Sequence, residues 1–435
     1  MNVTLQYGRA GLSLVLPDHW EITVLRKAEM PVLDDLPGAL RQGLATPVAS
    51  APLAAIAAGQ TTACILVCDI TRPVPNGQLL PELIRTLLAA GIPAKQITVL
   101  VATGLHRPNE VEELRELIGN DWVLDTVQVV NHFARNDADH VDLGPTQRGT
   151  PVKIDRRFVD ADVRIVTGLV EPHFMAGYSG GRKVITPGIA HADTITTVHA
   201  ATLLEHPHAR NCRLDGNPLH AEQIEIARRL APVFAVNVVL DEQRRVSHLA
   251  CGELEASHRA AVEFTHRFAI APVQETFPTV ITTSAGYPLD KTYYQAIKGI
   301  VSAQELLTPG GMLLLAAECS EGLGSPDFIA SQRRFLTLGM DAFVTDILAK
   351  ERAAIDEWQT ELLVKALRRG RVGLYATGLS LQQHALTGIE PIADLQQAIY
   401  RRVEECGDPR VAIIPEGPYL IPLKLPESQT STVQL

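Results

Sequence analysis

Arg164-Ile165-Val166-Thr167-Gly168-Leu169-Val170 runs into Glu171-Pro172-His173-Phe174-Met175-Ala176-Gly177-Tyr178-Ser179-Gly180-Gly181-Arg182-Lys183-Val184-Ile185-Thr186-Pro187-Gly188, and the joint between the two decides how the chain is read. The first run is apolar and β-branched, the pattern of a buried strand. The second is a glycine-rich turn carrying a histidine, a serine, an arginine and a lysine. A strand that opens into such a turn is where open α/β sheets place their ligands. Glycines there let backbone N–H groups approach an anion. A lysine can neutralise a phosphate or react as an amine. The plain alternative is a tight turn with solvated charges.

Three motifs were tested on this stretch. The phosphate loop G-x-x-x-x-G-K-[ST] fails, because Arg182 stands where the last glycine belongs and Val184 follows the lysine. The dinucleotide fingerprint G-x-G-x-x-G is absent: Gly322-Leu323-Gly324 begins it and Asp327 ends the match. The nucleophile elbow G-x-S-x-G does match, at Gly177 to Gly181. An elbow follows its strand directly, whereas Pro172 and His173 intervene here. A serine hydrolase using Ser179 stays as a rival reading.

Outward from this stretch, strands and helices alternate. Residues 63–68, 97–102, 127–131 and 164–170 read as strands. Residues 79–90 have helical spacing, with Leu80, Leu83, Ile84, Leu87 and Leu88 on one face, and 111–118 suit a helix. After a strand at 233–240 and a helix at 253–268, Pro272 and Pro278 bracket a boundary. A second series follows: strands 279–284, 312–317 and 372–375, with helices at 293–307, 327–337, 342–350 and 357–368. Residues 2–25 read as a small antiparallel start. The expected fold is α/β, with two domains, each a mostly parallel sheet flanked by helices. The expected division is 1–272, 273–405, and a strand and tail at 406–435 that returns to either sheet. The tail after Pro426 is polar and expected to be loose.

The 435 residues are 46% hydrophobic and 20% charged, the balance of an ordinary globular enzyme. Net charge is -10, which argues against nucleic acid as a partner. No segment reaches the about 18 uninterrupted apolar residues of a membrane span. The opening residues lack the features of a signal peptide, so the cytoplasm is the expected compartment. Six scattered cysteines without C-x-x-C argue against a disulfide framework or a cysteine zinc site.

Polar residues gather just past the strands. Asp69-Ile70-Thr71-Arg72-Pro73 follows the first, Thr103-Gly104-Leu105-His106-Arg107-Pro108 the second, and Glu171-Pro172-His173 the central one. Ser284 to Asp290 leads to Tyr294-Gln295-Ala296-Ile297-Lys298, and Glu318-Cys319-Ser320 closes a later strand. In a parallel sheet such ends share one edge, so Arg72, His106, His173, Lys183 and Lys298 are candidates for one cleft. Arginine pairs a carboxylate through two parallel hydrogen bonds. Histidine moves protons near neutral pH. Two histidines from different loops suit inversion at a carbon bearing a hydroxyl. Imidazole also suits nickel, zinc and copper. His199, His206 and His208 lie downstream without an H-E-x-x-H pattern, and the last two read as surface residues.

These segments, together with His199, resemble the lactate racemase family of nickel-pincer-nucleotide-dependent 2-hydroxyacid racemases and epimerases. The resemblance spans most of the chain. It implies that Lys183 tethers a pyridinium mononucleotide through a thioamide, whose sulfurs and ring carbon hold nickel with His199 as the protein ligand. It implies that Asp69, Thr71, Ser179, Gly188 and Trp358 help hold that cofactor. His106 and His173 would be paired acid/bases, and Arg72, Tyr294, Gln295 and Lys298 would orient the substrate. One histidine would take the hydroxyl proton while hydride leaves C2, giving a planar 2-oxo acid that is reduced again on its other face. Lactate and other small aliphatic 2-hydroxy acids come first as substrates, and separate maturation proteins would make the cofactor. Two more rivals stay open: a conventional NAD dehydrogenase, and a non-catalytic nickel-nucleotide-binding protein.

Overall fold

The structure, a computed structural model, describes residues 1–424; the tail expected to be loose after Pro426 lies outside the described residues. Two compact units form. An internal unit holds Glu29–His199 and Leu203–Arg267. A terminal unit holds Met1–Ala28, Ala200–Thr202 and the described residues from Phe268 onward.

The internal unit is built on a six-stranded sheet in the order Val246–Glu253, Phe234–Leu240, Val163–Leu169, Ala63–Cys68, Ile97–Ala102, Gln128–Asn131. All neighbours run parallel except the outermost Val246–Glu253, which is antiparallel to Phe234–Leu240. The middle strands are apolar at nearly every position because both of their faces are covered. Helix Asn76–Ala89 shows how one face is filled. Its Leu79, Leu80, Leu83, Ile84 and Leu87 are buried in one cluster with Ile65, Val67, Val99 and Val101 of the sheet. Each such leucine contributes about 1.5–3 kcal/mol by leaving water, and Leu83→Ala is expected to cost about 2–5 kcal/mol.

The order of this sheet positions the site. From Ala63–Cys68 the chain moves outward through Ile97–Ala102 to Gln128–Asn131, then returns to the opposite side of Ala63–Cys68 at Val163–Leu169. Strand order therefore reverses between Ala63–Cys68 and Val163–Leu169, and a crevice opens beyond their carboxyl ends. Ala63 pairs with Ile97 and Cys68 with Ala102. Those two strands end level, and their loops leave the sheet side by side.

The terminal unit carries a six-stranded, all-parallel sheet: Glu390–Pro391, Arg371–Tyr375, Leu307–Ala316, Phe277–Thr283, Arg410–Ile414, Glu21–Val24. Asn2–Leu5 and Leu12–Val15 form the expected small antiparallel hairpin. Glu21–Val24 instead joins the large sheet beside Arg410–Ile414. The units thus differ from the expected 1–272 division. Residues 1–28 group with 268 onward, and the late strand lies in the terminal sheet. Periodicity identifies a strand without naming its partner, and these partners lie at opposite ends of the sequence. The helices Leu36–Ala45 and Leu395–Cys406 were not read from the sequence. No helix among the described residues is long and apolar enough to cross a membrane.

Candidate active site

Three loops of the internal unit meet at its switch point: 69–72 after Ala63–Cys68, 103–106 after Ile97–Ala102, and 170–173 after Val163–Leu169. Asp69 and His106 face each other because their strands end level. His106 Nδ1 lies 2.5 Å from Asp69 Oδ2, and the Thr71 hydroxyl donates to Asp69 Oδ1 at 2.5 Å. Asp69 is buried, whereas the His106 side chain is 60% exposed. Burial pushes the Asp69 carboxyl up. The His106 hydrogen bond and charge, then Thr71 and Arg72, more than offset this and hold it below the usual carboxylate range. A carboxylate accepting at Nδ1 keeps the proton there and leaves the lone pair on Nε2, the tautomer that accepts a proton. Asp69, expected with Thr71 from the resemblance to hold a nucleotide, here bonds both Thr71 and His106.

His173 sits in a different setting. Pro172–His173 pairs with Gly177–Tyr178. The ring is buried and stacks on Phe174 with centroids 4.6 Å apart. Its Nδ1 accepts the backbone N–H groups of Met175 and Ala176 at 3.3 and 3.2 Å, which places the neutral ring's proton on Nε2. His106 therefore offers an acceptor at Nε2, and His173 offers a donor.

The glycine turn packs back on the sheet. A Cβ on Gly180, whose φ is +75°, would lie 2.6 Å from a Val170 methyl, so only glycine fits. The Gly181 N–H donates to Asn237 Oδ1 at 3.0 Å, so it is used within the protein. The Ser179 hydroxyl donates to Leu169 O at 2.7 Å and accepts the Glu171 N–H at 3.0 Å. Both of its hydrogen-bonding roles tie the turn to the strand, and among the described residues no basic side chain bonds it. The Gly188 carbonyl accepts the Gly104 N–H at 2.9 Å, joining this turn to the His106 loop.

Lys183 lies in the short helix Arg182–Ile185. Its side chain is half-buried. Burial, then the charges of Arg72 and Arg182, bring its amine down to about 7. An amine lowered in this way is neutral more often than that of an ordinary lysine, and the neutral form is the nucleophilic one. Arg182 itself is buried; its Nη2 donates to the Ala176 carbonyl at 2.8 Å, and its Nη1 lies 2.9 Å from His258 Nε2. His199 caps the end of helix Ala192–Val198. Burial pushes its imidazole down to about 4; the Ile195 carbonyl opposes this and the Lys183 charge adds to it. Its Nδ1 lies 2.8 Å from Ile195 O, so the neutral ring carries its proton on Nδ1 and its lone pair on Nε2. That is the form in which imidazole binds a metal.

The remaining expected residues belong to the terminal unit. Helix Tyr293–Ala303 is capped by the Thr292 side chain. Tyr294, Gln295 and Lys298 are half-buried, while Tyr293, Ala296, Ile297 and Ile300 face the core. Trp358 donates from Nε1 to the Tyr294 hydroxyl at 3.3 Å, and Gln359 Nε2 donates to the Tyr294 carbonyl at 2.7 Å. Gln359 was not anticipated, and no sequence signal marks it. The tie between Asp69 and His106 was also missed. Its signal was available: a carboxylate and an imidazole one residue past and four residues past two adjacent parallel strands.

The switch point of this mostly parallel α/β sheet thus holds an oriented imidazole and a lysine, an arrangement that suits more than one chemistry. Comparisons with known proteins narrow this. Residues 7–211 match the family model described as Lactate racemase N-terminal domain, and residues 274–421 that described as Lactate racemase C-terminal domain. The lactate racemase of Thermoanaerobacterium thermosaccharolyticum is 30% identical over 96% of this chain and 98% of its own length. That of Lactiplantibacillus plantarum is 30% identical over 87% and 89%. The structure of the lactate racemase apoprotein from T. thermosaccharolyticum superposes with a TM-score of 0.90 at 28% identity, covering 98% of this chain and 100% of that one. A Thermotoga maritima protein shares the fold at a TM-score of 0.65 and 18% identity, covering 92% of this chain and 100% of that one. The chain belongs to the lactate racemase family. It is an enzyme of the isomerase class, a racemase.

Proposed function

We propose that this chain interconverts the enantiomers of a small 2-hydroxy acid, lactate first among them, and that it does so in the cytoplasm with a nickel-pincer nucleotide held at Lys183 and His199. The observation that carries the reading is the Asp69–His106 pair at the sheet's switch point. Withdrawing hydrogen from a carbinol needs a base on the hydroxyl, and this pair is an imidazole oriented for that task.

The residues present fit the cofactor. Among the described residues no three His, Cys, Asp or Glu side chains gather to hold a metal ion; donors carried by a bound nucleotide would complete a nickel site. His199 offers one nitrogen donor of a kind that suits nickel, and Lys183 offers the amine for a covalent link. The Thr186 hydroxyl is buried in the same turn with no hydrogen-bond partner among the described residues. When bound, the cofactor would supply a hydride acceptor for the C2 hydrogen. His106 takes the hydroxyl proton at Nε2, Asp69 stabilises the imidazolium, and a 2-oxo acid results. Arg72 pairs the substrate carboxylate. His173 faces the substrate oxygen as a donor through Nε2. For His173 to take a proton there, its own proton must move to Nδ1, and the Met175 and Ala176 contacts must be given up.

The rivals find less support. Ser179 is consumed by structural hydrogen bonds, and a carrier without catalysis has no use for the Asp69–His106 pair. The deciding experiment is intact mass and nickel analysis of protein from a host that makes the cofactor through its maturation proteins, followed by chiral analysis of lactate. A lysine adduct at Lys183, bound nickel and conversion of either enantiomer to the racemate support the proposal. A loaded protein that leaves L-lactate and D-lactate unchanged overturns it.

A further inference from the structure

Arg72 is the residue proposed to bind the substrate carboxylate, and a carboxylate of this chain already stands beside it. Glu171 Oε1 lies 3.7 Å from Arg72 Nε. Arg72 also donates from Nη1 to the Thr71 carbonyl at 3.2 Å. A guanidinium offers a carboxylate two parallel donors along its Nε–Nη edge, and Nε is the Arg72 atom paired with Glu171. The distance is that of an ion pair rather than a hydrogen bond. Glu171 is not a drifting surface residue. Its N–H donates to Ser179 Oγ at 3.0 Å, and its carbonyl accepts the Ser179 N–H at 2.9 Å. With its backbone fixed on both sides, its side chain reaches Arg72 from a set anchor point. Both side chains are partly exposed, 26% for Arg72 and 34% for Glu171, so a ligand can approach the pair.

From this geometry we infer that Glu171 is a specificity-determining residue, an internal carboxylate that admits monocarboxylate 2-hydroxy acids to Arg72 and turns away dicarboxylates. The inference rests on the 2-hydroxyacid reading above and names its substrate class. A monocarboxylate can share or displace the Glu171 contact at modest cost. A dicarboxylate such as malate brings a second negative charge toward Glu171, with the Arg72 charge already engaged. Like charges this close disfavour each other.

Glu171→Gln keeps the shape and removes the charge. A partly exposed ion pair contributes about 0.2–1 kcal/mol, which converts to roughly 1.4- to 5-fold in affinity. In cofactor-loaded enzyme, Glu171→Gln is expected to lower the KM for lactate by roughly 1.4- to 5-fold, with the larger effect on KM rather than on kcat. The ratio of kcat/KM for malate over lactate should rise by more than that factor. Titration of the cofactor-free parent and variant with lactate and with malate, by calorimetry, reads the same preference without turnover. Glu171→Asp, which withdraws the carboxylate by one methylene, should fall between the two. An unchanged malate-to-lactate ratio in both assays, or a higher lactate KM in the variant, overturns the inference. A parent that is loaded with cofactor yet inert toward lactate overturns the functional reading instead.

Discussion

Replacing Asp69 with Asn tests whether its carboxylate makes His106 a base. The side chain keeps its size, and its amide oxygen can still accept one hydrogen bond from Thr71 or from His106. What is lost is the negative charge 2.5 Å from Nδ1. A hydrogen bond to a charged partner contributes about 1.5–3 kcal/mol. That charge matters most when His106 becomes an imidazolium, so the loss falls on the barrier rather than on substrate binding. At about 1.4 kcal/mol per decade, kcat should fall by roughly 10- to 150-fold while KM changes little. Chiral chromatography of lactate, starting from each pure enantiomer, gives both constants. Intact mass verifies that the variant carries the same adduct as the parent. Thr71→Val serves as a control, since it removes the second contact to Asp69 but not the charge facing His106, and it should cost far less. A kcat for Asp69→Asn within threefold of the parent, at equal cofactor loading, would refute the positioning role.

Other outcomes follow from the same geometry. Lys183→Met should carry no adduct. In the cofactor-free parent burial brings the folded lysine down to about 7, from 10.5 for an ordinary lysine. The unfolded chain then binds more protons between those values, so the parent's stability rises with pH across that window; in the variant this rise should vanish in urea titrations at pH 7 and 9.5, and an equal slope in both proteins would contradict the buried amine. Ser179→Ala should destabilise the fold by about 1–3 kcal/mol through lost buried hydrogen bonds, with no ester-hydrolysing activity to lose in the parent; a serine-dependent esterase would revive the hydrolase reading. Rapid acid quench of loaded His106→Asn and His173→Asn enzymes should trap 2-oxo acid from opposite enantiomers, and equal yields from both enantiomers in both variants would rule out the two-face arrangement.

Much of this was legible in the sequence because the strands concerned are buried on both faces. Runs such as Ala63–Cys68 and Ile97–Ala102 are apolar throughout, and their ends are marked by an abrupt change to polar loops. The internal site followed from that, since parallel strands bring their carboxyl ends to one edge. Glu21–Val24 was harder, because its partner Arg410–Ile414 is nearly 400 residues away and no local pattern encodes the pairing. Side-chain roles were the least legible. Asp69 was assigned from the resemblance to the nucleotide, and only the level ending of two adjacent strands shows that it meets His106. Glu171 stood in plain view beside His173, but its contact with Arg72 depends on the order of the strands.

The central claim is that C2 hydrogen leaves as hydride and returns to the same carbon while histidines move only the hydroxyl proton. Racemisation of lactate deuterated at C2, in ordinary water with cofactor-loaded enzyme, tests it directly. The account predicts that both enantiomers of the product keep deuterium at C2 and that the reaction is slower than with unlabelled lactate. Racemised lactate that has exchanged its C2 deuterium for solvent hydrogen would contradict it, because the C2 hydrogen would then have left as a proton to a base in contact with water.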